Sequence, residues 1–138
     1  MTETTAPAAR DQALADLFSA ALEGGIGYWS TCSVYRWRKP GSDSRGSVAE
    51  TQDLIGFHAV IQDTEDDEAT EYRIDRDVIR RGMQRLYKHM IGLGDNANRY
   101  QLQACRDFNR GNWDDFDFDS DTGDMVVQFG LFGEIRYA

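Results

Sequence analysis

The sequence predicts an α+β fold: a small antiparallel sheet of about three to four strands packed with about four helices. Three observations carry that reading. Apolar residues recur at spacings of three and four over residues 10–23 and again over 75–90. Between them, residues 54–63 alternate apolar and polar side chains and turn back through the acidic run TEDDEA. Upstream, GGIGYWSTCSVYRW (residues 24–37) holds four of the chain's nine Tyr and Trp residues and reads as a first strand.

Taken in order, residues 1–9 read as a flexible leader and 10–138 as one domain. The first helix places Ala13, Leu14, Leu17, Phe18, Ala21 and Leu22 on one face, with Asp11 and Asp16 in its N-terminal half. Gly24 and Gly25 are expected to stop it with a left-handed cap. The strand Tyr28–Trp37 sets Tyr28, Ser30, Cys32 and Val34 on one face and Trp29, Ser33, Tyr35 and Trp37 on the other. Aromatics on both faces imply a central strand covered twice, or a strand whose second face is partly open. Lys39–Val48 is a polar loop.

Leu54–Asp63 and Thr70–Ile74 form a hairpin around the acidic turn. Asp75 is placed to cap the next helix, whose stripe is Val78, Ile79, Met83, Leu86, Tyr87 and Met90. Gly82 lies inside that stripe at a cost of about 1 kcal/mol against alanine, which implies close packing there. Gly92 and Gly94 end this helix. Asp95 is expected to cap another, with Ala97, Tyr100, Ala104 and Phe108 on one side. Asp121–Phe132 suits a helix ending at Gly133 better than a strand, and Glu134–Tyr137 is expected to add a short edge strand.

At 138 residues and 41% hydrophobic composition the chain can form one core. No apolar run approaches the roughly 18 residues of a membrane helix, and MTETTAPAAR carries no secretory pattern, so a cytoplasmic protein is expected. Cys32 and Cys105 read as reduced thiols. The net charge of −9 disfavours general nucleic-acid binding and suits a basic partner.

Motifs for chemistry are sparse. Asp117, Asp119 and Asp121 have the spacing of a calcium loop, but Thr122 and Gln128 stand where glycine and a bidentate glutamate are needed; no metal and no cofactor are expected. His58 and His89 lack a neighbouring nucleophile motif, and GGIG and GLG lack the context of a phosphate loop, so no catalytic residue is assigned. Asp114, Asp115, Asp117, Asp119, Asp121 and Asp124, with Asp63 and the 65–68 cluster, invite a DNA-mimic reading. Arg80, Arg81, Arg85 and Lys88 form a basic helical group that could meet phosphates, with Arg36, Arg38 and Lys39 beside Tyr35 and Trp37. The aromatics Trp29, Tyr35, Trp37, Trp113, Phe116 and Phe118, with Asp115, are the candidates for a partner-binding surface.

Gly24-Gly25-Ile26-Gly27-Tyr28-Trp29, Ile74-Asp75 with Val78-Ile79 and Gly82, and Asp121-Thr122 through Gln128, Leu131, Phe132, Gly133, Glu134 and Tyr137 together resemble a family of small uncharacterised proteins encoded by phages of actinobacteria. Residues 92–110 match it least. The resemblance implies a phage-type accessory protein in the host cytoplasm and transfers no activity and no site residue. The expectation is a non-enzymatic protein that binds a host or phage protein through an aromatic and acidic surface, with self-association possible. The alternatives are a nucleic-acid module on Arg80–Lys88 and the acidic DNA mimic.

Overall fold

The computed structural model describes residues 5–36 and 56–138. Helix α1 spans Thr5–Ala20, so the leader read for residues 1–9 is already helical from Thr5. Its predicted stripe is buried: Leu14, Leu17, Phe18 and Ala21 are all closed to solvent. The helix runs on into a wider π turn, Ala21–Gly25. The expected left-handed caps at Gly24 and Gly25 are absent, because neither glycine has a positive φ. Gly25 is required by proximity instead: a Cβ there would lie 2.7 Å from the Ser120 carbonyl oxygen.

Strands β1 (Ser30–Arg36), β2 (His58–Asp63) and β3 (Glu71–Asp75) pair antiparallel in the order β1-β2-β3. Strand β2 is therefore central and β1 lies beside it at the end of the order; of the two readings of β1, the one with an open second face holds. The face assignment within β1 needs correcting. Its register slips between Cys32 and Val34, so that Ser33 stands opposite no residue of β2, although its hydroxyl donates to the Val60 carbonyl at 3.3 Å. One extra residue reverses which side chains face the core, so Ser30, Cys32 and Tyr35 line up with Asp63, Ile61 and Ala59. Ala59 and Ile61 are buried and pair with Ile74 and Tyr72 of β3. On the other face Thr31, Gln62, Glu71 and Arg73 are exposed. The hairpin turn is held by Asp66, which accepts hydrogen bonds from the Thr70 hydroxyl (2.6 Å) and the Glu68 N–H (3.0 Å). Those two donors hold the Asp66 carboxyl below its usual pKa. The polar loop Lys39–Val48 and the strand start at Leu54 fall outside the described residues.

Helix α2 (Arg76–Leu93) begins where the capping argument places it, with the Asp75 carboxylate accepting from the Val78 N–H at 3.1 Å. Val78, Ile79, Met83, Leu86 and Met90 are buried and Tyr87 is half-buried. Helix α3 (Arg99–Arg110) is capped by Asn98, not Asp95, which sits in a 3-10 turn, Gly94–Asn96, ahead of it. The three residues of that turn displace the helix start, and Tyr100 is 42% exposed rather than on the buried side. Helix α4 (Ser120–Phe132) settles the helix-or-strand ambiguity: Asp119 caps it and Gly133, at φ 76°, closes it in the left-handed conformation.

Helix α4 runs through the middle of the domain, with Val126 and Val127 fully buried. It crosses α2 at two glycines. A Cβ on Gly82 would fall 1.9 Å from the Val126 carbonyl oxygen, and one on Gly130 would fall 2.3 Å from that of Val78. The close packing inferred at Gly82 is this crossing.

Candidate functional site

The six aspartates from Asp114 to Asp124 divide between a buried polar knot and a surface segment. The knot is built on Asp124 and Gln128, one turn apart on α4 and both buried. Asp124 Oδ1 accepts from Trp29 Nε1 and from Gln128 Nε2, each at 2.9 Å, and Oδ2 accepts from the Tyr28 hydroxyl at 2.6 Å. All three donors are neutral. Gln128 Oε1 accepts from the Arg136 and Tyr137 N–H groups at 2.8 and 2.9 Å, and Nε2 donates to the Tyr137 carbonyl at 3.0 Å. The Gln128 side chain thus supplies the partners a neighbouring strand would have given, and Glu134–Tyr137 lies against α4 as an irregular segment instead of the expected edge strand.

Tyr137 closes the knot onto the sheet. Its hydroxyl donates to Asp63 Oδ2 at 2.6 Å, and its ring stacks on Trp29 at 5.2 Å. The Tyr137 phenol is pushed up to about 12, first by its hydrogen bond to Asp63 and then by burial. Tyr28 is also raised to about 12, first by burial and then by Asp124. Trp29, expected as an exposed contact, is 0% exposed and belongs to the core. The reason is Asp124, which satisfies its indole N–H inside the protein. Asp63 and Asp124 are likewise structural and unavailable to imitate phosphates.

The surface segment connects α3 to α4. Trp113, Phe116 and Phe118 are half-buried and packed in sequence. Trp113 meets Phe108 edge-on at 5.5 Å, Phe116 meets Phe108 at 5.7 Å, and Phe118 meets Phe116 at 5.2 Å. Asp114, Asp115 and Asp117 alternate with these rings and are exposed. The aromatics of this segment are anchored on the core by one side and present the other between carboxylates. Tyr35 stands apart from it. Its ring is edge-on to Phe18 at 5.5 Å, and its hydroxyl donates to Glu23 at 2.8 Å. Burial and then Glu23 raise the Tyr35 phenol above its ordinary pKa. Trp37 falls outside the described residues, as do Arg38 and Lys39.

The basic group on α2 is not a uniform surface. Arg81 donates through Nε and Nη2 to the Gly130 carbonyl at 3.0 and 2.9 Å, and Arg85 donates to the Phe129 carbonyl at 2.8 Å. Both guanidiniums thereby satisfy the C-terminal carbonyls of α4, where the helix dipole favours positive charge. Arg80 lies 3.7 Å from Asp77, and Lys88 is exposed. His58 has a ring nitrogen 3.5 Å from the Gly56 carbonyl, and His89 packs on Phe129 at 5.1 Å. Cys32 is exposed; Cys105 is buried, which pushes its thiol up to about 12. Among the described residues no group of three or more His, Cys, Asp or Glu side chains gathers to hold a metal, and no helix is long and apolar enough to cross a membrane.

From the sequence, Tyr28, Gln128 and Tyr137 were not assigned to a shared polar knot. The available signal was Gln128 itself, a polar residue within the apolar run VVQF and four residues after Asp124. Comparison with protein-family models, curated proteins and solved structures yields no match.

Proposed function

We propose that this chain is a non-enzymatic accessory protein of phage type, acting in the host cytoplasm, that binds a basic segment of a host or phage protein through residues 113–118. One observation carries the choice of surface: Trp113, Phe116 and Phe118 are braced against Phe108 while Asp114, Asp115 and Asp117 project between them. Anchored rings lose little side-chain freedom on binding, and aromatic side chains dominate interface energetics. The intervening carboxylates favour lysine and arginine on the partner and repel acidic competitors. The absence of catalysis is supported by the surroundings of the histidines and by the raised, buried Cys105 thiol.

The alternative nucleic-acid reading on Arg80–Lys88 is weaker, because Arg81 and Arg85 are committed to the end of α4. The test is affinity capture from host lysate with nuclease present. Wild type is compared with the Asp114→Asn, Asp115→Asn, Asp117→Asn triple variant and with a triple variant of equal charge change in the hairpin turn, Glu65→Gln, Asp67→Asn, Glu68→Gln. Loss of a stoichiometric partner in the first variant alone is the expected result. Equal loss in both, or in neither, removes residues 113–118 as the surface.

A further inference from the structure

A groove on the opposite charge footing runs between α1, α2 and α3. It consists of two adjoining depressions, of about 400 and about 510 Å³, that share Arg10, Phe108 and Asn109. Each is large enough for a small organic ligand. The chain carries nine more acidic than basic groups, yet four cations line this groove, Arg10, Arg76, Lys88 and Arg110, against the single carboxylate of Asp11. Asp11 is already taken by Arg76, whose Nε lies 3.1 Å from its Oδ1. The Arg10 guanidinium carbon sits 5.3 Å from the centre of the Phe108 ring. Arg110 and Lys88 are exposed and join no ion pair among the described residues. The indole of Trp113 stands at the larger depression beside Arg110.

We propose that this groove binds a mononucleotide. Arg10 and Arg110 supply the charge and planar donor geometry that phosphate oxygens favour. Trp113 supplies a ring against which a base can stack, and Asn109 brings an amide able to both donate to and accept from a base edge. A concentration of positive charge inside a strongly negative molecule focuses an anionic ligand on this one place. The volume matches one nucleotide rather than a length of strand. Nothing in the inference depends on a protein partner at residues 113–118.

Titration calorimetry of the full chain at low salt tests it, with ADP, adenosine and inorganic phosphate as probes. ADP is expected to saturate with a Kd below about 1 mM. Adenosine and phosphate alone should each bind about tenfold more weakly, since each lacks half of the interactions. Arg110→Ala should weaken ADP about tenfold, while Arg99→Ala, an equal loss of charge at an exposed position outside the groove, should leave it within about twofold. No saturation by ADP overturns the proposal, as does equal weakening by the two substitutions or phosphate binding as tightly as ADP. An eight-nucleotide oligothymidine that binds far more tightly than ADP and is lost in Arg110→Ala would replace the mononucleotide with a single strand, overturning the proposal in its stated form.

Discussion

Residues 113–118 and 119–128 are adjacent, equally acidic in appearance, and opposite in what they do. In the first, Asp114, Asp115 and Asp117 are exposed while rings anchor the chain, and only Asp117 meets a donor, the exposed Tyr100 hydroxyl. In the second, Asp119 caps α4 through the Thr122 N–H at 2.9 Å, and Asp124 is buried beneath Trp29 and Tyr28. A carboxylate enters the interior when enough donors replace its water, and Asp124 has three. No such donors converge on Asp114 or Asp115, so composition alone cannot separate a binding surface from a structural knot. The difference also reassigns the aromatics: Trp29 follows Asp124 inward, while Trp113 stays at the surface with its flanking acids.

The largest effect is expected where α4 itself is held in place. Gly82→Val pushes a branched side chain against the Val126 carbonyl, which a Cβ would already approach to 1.9 Å. Valine is a better helix residue than glycine, but only by a fraction of about 1 kcal/mol. Forcing two helix backbones apart is expected to exceed about 4 kcal/mol. Loss of the cooperative thermal transition, followed by circular dichroism, is the expected result. A normal transition would mean that the crossing can widen, and that the knot does not depend on it.

Asp124→Ala comes next and probes the buried half directly. It leaves the Trp29 indole N–H without its acceptor, at about 1–3 kcal/mol, and takes one acceptor from the Gln128 amide, which keeps the Tyr137 carbonyl. A total near 3 kcal/mol corresponds to a drop of roughly 10 °C in Tm for a domain of this size. Asp124→Asn keeps an oxygen for Trp29 and should recover a large part of the loss. Equal melting of the wild type and Asp124→Ala would place Asp124 in the same class as Asp115.

The two phenols of the knot give a pH dependence. Tyr28 and Tyr137 titrate near 10 when unfolded and are raised to about 12 in the fold. Between those values the folded chain retains protons that the unfolded chain has lost, so stability is full below pH 10 and falls as pH rises towards 12. Tm measured from pH 8 to 11.5 should decline above 10, and the decline should shrink in Tyr137→Phe. Tyr35 adds to the same trend through its own raised phenol, so a double variant, Tyr35→Phe with Tyr137→Phe, should flatten the curve further. An unchanged slope in both would mean that these hydrogen bonds do not bias the phenols.

Much of this organisation was legible in the residues, and what was not has identifiable causes. The α2 stripe, its Asp75 cap, the Gly82 contact and the central strand's alternation are local or periodic signals, and they match the structure. The inversion within β1 follows from one bulged residue, Ser33, which alternation cannot anticipate. The burial of Trp29 depends on Asp124, 95 residues away, and the fate of Glu134–Tyr137 depends on the side chain of Gln128. The spacing of the basic residues on α2 did not reveal that Arg81 and Arg85 end on α4 carbonyls while Lys88 stands beside α3. Long-range hydrogen bonds of this kind leave no periodic trace in a single sequence.

The smallest effect on stability belongs to the surface half, and it is the sharpest check on the comparison. Asp114→Asn, Asp115→Asn and Asp117→Asn remove three charges from exposed positions. Together they should move stability by no more than about 0.5 kcal/mol, and any change should be a gain, because like charges crowded into four consecutive residues repel one another. Urea denaturation at low and at moderate salt separates the cases. A small gain that vanishes with added salt fits solvated carboxylates screened over about 10 Å. A loss of 2 kcal/mol or more, of the size expected near Asp124, would show that these aspartates hold the segment in place, and that the aromatic face they flank is part of the scaffold rather than a surface left open for a partner.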